Sequence, residues 1–163
     1  MGSVSDRQWV IEKVRPYGKV IDIGAGPLTT LLAKKTEVTC VDLDEDAIEE
    51  ERENAYSQGV IEKVKFENQD ALSTEYGDKE FDFAFSYGTL HHIDVARRYK
   101  FLEEMARISK VMVIADFNEE GFPHDQDEFE IVDFGWLKKT VNSFGKVKNF
   151  NTNYTFLFVV EVE

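Results

Sequence analysis

Residues 19–42 constrain this chain more than any other stretch. An apolar run (Val20, Ile21, Ile23) enters a turn carrying Gly24 and Gly26, a helix-forming segment follows, and a second apolar run ends at an acid, Asp42. Strand, glycine turn, helix, strand and acid in that order form the first half of a nucleotide-binding βαβ unit. In such a unit, backbone amides and a helix N-terminus approach the ligand while the acid accepts from ribose hydroxyls. The expected ligand therefore carries a ribose.

The turn reads Gly24-Ala25-Gly26-Pro27-Leu28-Thr29. A dinucleotide site wants a third glycine where Thr29 stands, so that helix and strand pack closely. Pro27 suits a first helical turn, where its missing N–H costs nothing. Asp22-Ile23-Gly24-Ala25-Gly26, an acid and an apolar residue before Gly-x-Gly, resembles the first motif of the class I S-adenosylmethionine-dependent methyltransferases. The resemblance extends over almost the whole chain and implies a Rossmann-like three-layer α/β/α sandwich. Its mostly parallel seven-stranded sheet would carry an antiparallel C-terminal hairpin strand.

The periodicity predicts strands over about 19–23, 37–42, 63–67, 81–85 and 111–115, with helices over about 27–35, 44–57, 94–109 and 129–143 between them. The alternation of Lys63-Val-Lys-Phe-Glu67 suits a sheet edge, and the apolar Val111–Ala115 a central strand. Val95, Tyr99, Leu102, Met105, Ala106 and Ile108 are the expected inner face of the 94–109 helix. Segments 146–151 and 154–162, joined by Thr152-Asn153, can pair only as an antiparallel hairpin. An N-terminal helix within residues 1–17, capped by Ser5 or Ser3 and apolar at Trp9, Val10 and Val14, should lie across the sheet edge or over the ligand mouth. Residues 18–163 make up the α/β core of a single domain.

Charge limits the partners. With 32 acids against 19 bases, net −13, and no block of basic residues, direct nucleic-acid binding by charge is disfavoured. The single cysteine, Cys40, excludes an internal disulfide framework and reads as a core residue. No apolar run is long enough to span a membrane, and Met1-Gly-Ser-Val-Ser is short and polar, so a soluble cytoplasmic protein is expected.

Asp42 lies 20 residues after Asp22, the spacing of a ribose-binding acid. Leu43 would pack on the adenine face. The resemblance implies that Asp70, with Ala71, meets the adenine amino group, and that Ser86 and Tyr87, in a loop after the fourth strand, lie beside the methionine part of the cofactor. That loop lacks the Asn-Pro-Pro-Tyr or Asp-Pro-Pro-Tyr sign of amino-methylation on adenine or glutamine. The usual Leu-x-Pro-Gly-Gly turn before the fifth strand is also missing, replaced by Ile108-Ser109-Lys110.

His91 and His92 are candidates for a general base, because an imidazole titrates near neutrality. Adjacent residues rarely chelate one ion, and no metal site is expected. Asp116, Asn118 and His124 lie in the 116–128 segment, where acceptor contacts are common in this fold. Phe117, Phe122, Phe129 and Trp136 are either an apolar acceptor pocket or core.

The expected activity is transfer of the S-adenosylmethionine methyl group to a small molecule. The alternatives are a tRNA or protein acceptor reached with a partner protein, a non-catalytic cofactor-binding subunit, and a NAD-dependent oxidoreductase. The last lacks a Tyr-Lys or Cys/His catalytic arrangement.

Overall fold

The computed structural model describes residues 4–122 and 129–163. In chain order the elements are α1 (Val4–Val14), β1 (Val20–Ile23), α2 (Pro27–Ala33), β2 (Val38–Asp42), α3 (Glu45–Ser57) and β3 (Val64–Asn68). They continue with β4 (Phe81–Tyr87), α4 (Arg98–Ile108), β5 (Ser109–Phe117), α5 (Phe134–Asn142), β6 (Gly145–Asn151) and β7 (Thr155–Val162). One seven-stranded sheet has the order β3-β2-β1-β4-β5-β7-β6. Every neighbouring pair from β3 to β5 is parallel, and β7 alone runs the other way, between β5 and β6.

The Rossmann-like arrangement follows from the residue pattern. All four β1 residues are buried, as a strand with neighbours on both edges and helices on both faces requires. Alternate side chains feed two cores. Ile21, Ile23, Met112, Ile114, Phe156 and Phe158 meet α4 and α5 on one face. Val20, Val113, Ala115 and Leu157 meet α1 and α2 on the other. β3 sits at the edge that its alternation implied.

Several boundaries differ from expectation. β4 and β5 are longer than 81–85 and 111–115, so Ser86, Tyr87 and Asp116 are strand residues. The helix expected from 94 starts at Arg98, after a 3-10 turn over Val95–Arg97. Val95 and Tyr99 are consequently half-exposed, and Phe101 takes the inner place. α5 begins at Phe134 because Asp133 accepts from the Trp136 amide at 2.9 Å as its N-cap. The hairpin turn includes Tyr154, with the Thr155 amide donating to Thr152 Oγ1 at 2.9 Å. Ser5 falls within α1, and Ser3 lies outside the described residues. Where a Pro-Gly turn was missing before β5, Lys79 Nζ donates to the Ala106 and Ser109 carbonyls at 3.1 and 3.0 Å, neutralising the end of α4.

Candidate functional site

The strand order reverses between β1 and β4, and open α/β sheets place their ligands at such a point. A cavity of about 590 Å³ lies there, lined by residues from the carboxyl ends of β1, β2 and β4 and from the loop after β3. Asp22, Gly24, Ala25, Gly26, Asp42, Leu43, Asp70, Ala71 and Tyr87 all line it.

The two glycines serve different ends. Gly24 has φ of +102°, and a Cβ there would sit 2.5 Å from Thr89 Oγ1, which itself donates to the Ile23 carbonyl at 3.0 Å. Only glycine can make this crossing with the loop after β4. Gly26 is extended, and a Cβ on it would meet nothing within 4 Å. Its missing side chain is not needed by the protein's own packing; it leaves cavity space open.

Asp42 is held at both oxygens. Oδ2 accepts from the Ala25 amide and Oδ1 from the Asp44 amide, each at 2.9 Å, leaving one lone-pair site per oxygen turned toward other donors. Leu43 beside it is 61% exposed. Asn68, which the sequence reading passed over, fixes this turn by donating to the Asp42 and Leu43 carbonyls at 3.0 and 2.9 Å. Asp70 Oδ1 accepts from the Leu72 amide at 2.9 Å.

Asp22 is 1% exposed and accepts from Thr29 Oγ1 at 2.7 Å. Burial pushes its carboxyl up to about 8, and the nearby acids Glu51 and Asp42 add to the rise. Cys40, its register partner on β2, is buried as expected, and burial pushes its thiol up as well. α1 does reach the mouth. Arg7 lines the cavity with its guanidinium 5.1 Å from the centroid of the Tyr87 ring, a contribution that sequence spacing could not reveal.

The histidines separate. His91 is buried, its Nδ1 2.8 Å from Asp116 Oδ1 and its amide donating to Asp116 Oδ2 at 3.0 Å. Asp116 also accepts from the Phe117 amide at 2.7 Å. It is fully buried in β5, so it is not an open acceptor contact: its carboxylate anchors the His91 loop. His92 instead lines the cavity, its ring centroid 4.3 Å from that of His91 and 4.1 Å from that of Phe129. Ser86 is buried within β4 and is absent from the cavity lining.

Residues 20–111 match a family described as methyltransferase domain. This chain belongs to that family. The methyltransferase domain is 28% identical over 109 residues to 27-O-demethylrifamycin SV methyltransferase of Amycolatopsis mediterranei, covering 64% of this chain and 39% of that protein. It spans about a quarter to two fifths of the length of the curated relatives it matches. Among solved structures, a Pyrococcus horikoshii protein superposes with a TM-score of 0.80 at 21% identity, over 96% of this chain and 87% of that one. The magnesium protoporphyrin IX methyltransferase of Synechocystis, solved with bound S-adenosylmethionine, superposes at 0.74 and 15% identity, over 98% and 77%.

A second cavity, of about 930 Å³, opens farther along the same carboxyl edge of the methyltransferase domain. It is lined from the start of α4, the ends of β5 and β6, and the segment leading into α5. Asn118 belongs here. Its amide side chain donates to the Asn153 carbonyl at 2.9 Å and accepts from the Glu120 and Gly121 amides at 3.0 Å, so it closes the turn after β5. Trp136 lines this cavity, whereas Phe117 and Phe122 are buried core residues packed on His91. His124 lies outside the described residues. Among those residues no group of three or more His, Cys, Asp or Glu is arranged to hold a metal ion, and no helix is long and apolar enough to cross a membrane.

Proposed function

We propose that this domain binds S-adenosylmethionine in the first cavity and transfers its methyl group to a small-molecule acceptor. The observation that carries the reading is the convergence of Asp22, Asp42 and Asp70, from three adjoining strands or the loops after them, on one cavity whose floor is kept open by Gly26. The residues present fit the group. Asp42 has lone pairs left for two ribose hydroxyls, exposed Leu43 offers an apolar face for adenine, and Asp70 with the Ala71 amide suits the adenine edge. Tyr87, Thr89 and His92 line the part of the cavity near the switch point, where the methionine portion would lie.

When bound, S-adenosylmethionine supplies an electrophilic methyl group on a sulfonium sulfur. The chain's own task is then alignment and exclusion of water, with little demand for a protein nucleophile. His92 is the imidazole placed to take a proton from an acceptor, while His91, held by Asp116, is a positioning residue. Arg7 on α1 covers the mouth beside Tyr87.

Calorimetric titration with S-adenosylhomocysteine and, separately, with NAD tests this. The homocysteine product should bind and NAD should not. Asp42→Asn should weaken binding by ~1.5–3 kcal/mol, the worth of hydrogen bonds to a charged group. Binding of NAD in preference, or unchanged affinity in Asp42→Asn, overturns the assignment.

A further inference from the structure

The second cavity has a composition of its own. Seven large apolar side chains stand exposed among the described residues, and three of them, Val95 (50%), Tyr99 (49%) and Phe134 (38%), line this one hollow. Exposed apolar area gathered into one concavity marks a binding surface rather than ordinary surface scatter. The rings are backed. Tyr99 stacks on Phe144 with centroids 5.9 Å apart, and Phe134 rests on Phe156 and Phe158 at 5.5 and 5.3 Å. Each is a rigid platform needing little ordering when a ligand arrives.

Among the described residues, the charged groups of the lining are Glu119, Glu130 and Asp133 against one base, Arg98. Arg98 is buried, and its guanidinium donates to four main-chain carbonyls: Ile93 at 2.9 Å, Glu130 at 2.7 Å, and Ile131 and His91 at 3.3 Å each. Four of its five N–H donors are thus committed to the protein, and no two-donor fork is left for a carboxylate or phosphate. Acidic side chains beside open aromatic faces attract a cation with an apolar body and repel an anion. The volume, about 930 Å³, suits a small organic molecule.

The two cavities share a wall. His92, Ile93 and Arg97 line the first and Val95 and Arg98 the second, so consecutive residues of one short segment divide them. We propose that the second cavity holds the body of the acceptor, and that the acceptor is an arylalkylamine. It binds as the ammonium ion and gives its proton to His92, and the freed nitrogen lone pair forms the new N–CH3 bond as the methyl–sulfur bond breaks and S-adenosylhomocysteine leaves. This rests on the assignment of the first cavity to S-adenosylmethionine and adds the chemical class of its co-substrate.

The probes are phenethylamine and its anionic counterpart 3-phenylpropionate, titrated into ¹⁵N-labelled protein with and without S-adenosylhomocysteine and followed by amide shifts. Phenethylamine should move amides in 95–99 and 131–136 and bind at least ~10-fold more tightly than phenylpropionate. Tyr99→Ala and Phe134→Ala should each weaken the amine ~3–30-fold while leaving S-adenosylhomocysteine affinity unchanged. Equal binding of the two probes, shifts confined to other regions, or no shift at millimolar amine would overturn the inference. If the homocysteine binds and the amine does not, the inference fails alone. If the amine binds and the homocysteine does not, the first-cavity assignment fails and the acceptor role falls with it.

Discussion

Replacing Asp22 by Asn is expected to stabilise the ligand-free domain at neutral pH. Asp22 is fully buried, and its carboxyl is raised from an ordinary value near 3.8 to about 8. Below about pH 4 it is protonated in folded and unfolded chains alike, and wild type and variant should match. Between about 4 and 8 the unfolded chain ionises Asp22 while the fold retains the proton. Wild type then loses about 1.4 kcal/mol per pH unit relative to the isosteric amide. The deficit levels off above pH 8, after about four units, at a ceiling of about 6 kcal/mol. At pH 7 the ceiling is ~4 kcal/mol, and we expect at least ~1 kcal/mol to survive relaxation around the site. The Thr29 hydroxyl can still donate to the amide oxygen, so the variant keeps that bond. Urea unfolding of both proteins at about pH 5, 7 and 8.5 reads the difference. A stability offset that does not change with pH, or one favouring wild type increasingly as pH rises, refutes the argument. A stabilised variant would mean that the fold retains at this position an acid that weakens it, as residues kept for binding often do.

The two glycines of the first turn should respond oppositely to alanine. Gly24→Ala, at φ +102° and 2.5 Å from Thr89 Oγ1, should cost ~1–3 kcal/mol in denaturant unfolding, while Gly26→Ala should leave stability within ~0.5 kcal/mol yet weaken S-adenosylhomocysteine in calorimetry. Asp116→Asn should destabilise by ~1–3 kcal/mol, because an NH2 group replaces one of the two oxygens that accept from buried main-chain amides, and a melt would show it. His92→Gln, by contrast, should melt within a few degrees of wild type, equivalent to ~1 kcal/mol or less, and should slow methyl transfer ~10²–10⁴-fold in a radiolabel assay with any acceptor found.

The fold was legible because its signals are local and agree. The apolar runs, Gly24 and Gly26, and the short Thr152-Asn153 joint all point to one arrangement, and the sheet they form places β3 at its edge as the alternation required. Of the cavity-lining acids, Asp42 was legible through its spacing from Asp22, and Asp70 through the family resemblance. What escaped was decided by tertiary packing. Asp116 and Asn118 look alike in a polar string, but one is inside β5 anchoring His91 and the other closes a turn onto Asn153. Nothing in a Leu-His-His string says which ring points inward. The start of α5 was misplaced by five residues because a negative stretch with aromatics can continue a helix or precede a cap, and only Asp133 bonding to the Trp136 amide settles it.

Arg98 joins the His91–Ile93 backbone to the Glu130–Ile131 backbone, segments almost 40 positions apart in the chain. Three of the four carbonyls it holds, those of Ile93, Glu130 and Ile131, belong to residues lining one hollow or the other, so neither rim can peel away without loosening the same guanidinium. The two rims therefore open as one cooperative unit, and amides in 91–93 and 130–132 should exchange their hydrogens with a common opening free energy. A ligand that orders one rim should then tighten the same fastener for the other, by an equal factor in either direction, and titrating S-adenosylhomocysteine with and without phenethylamine reads that factor.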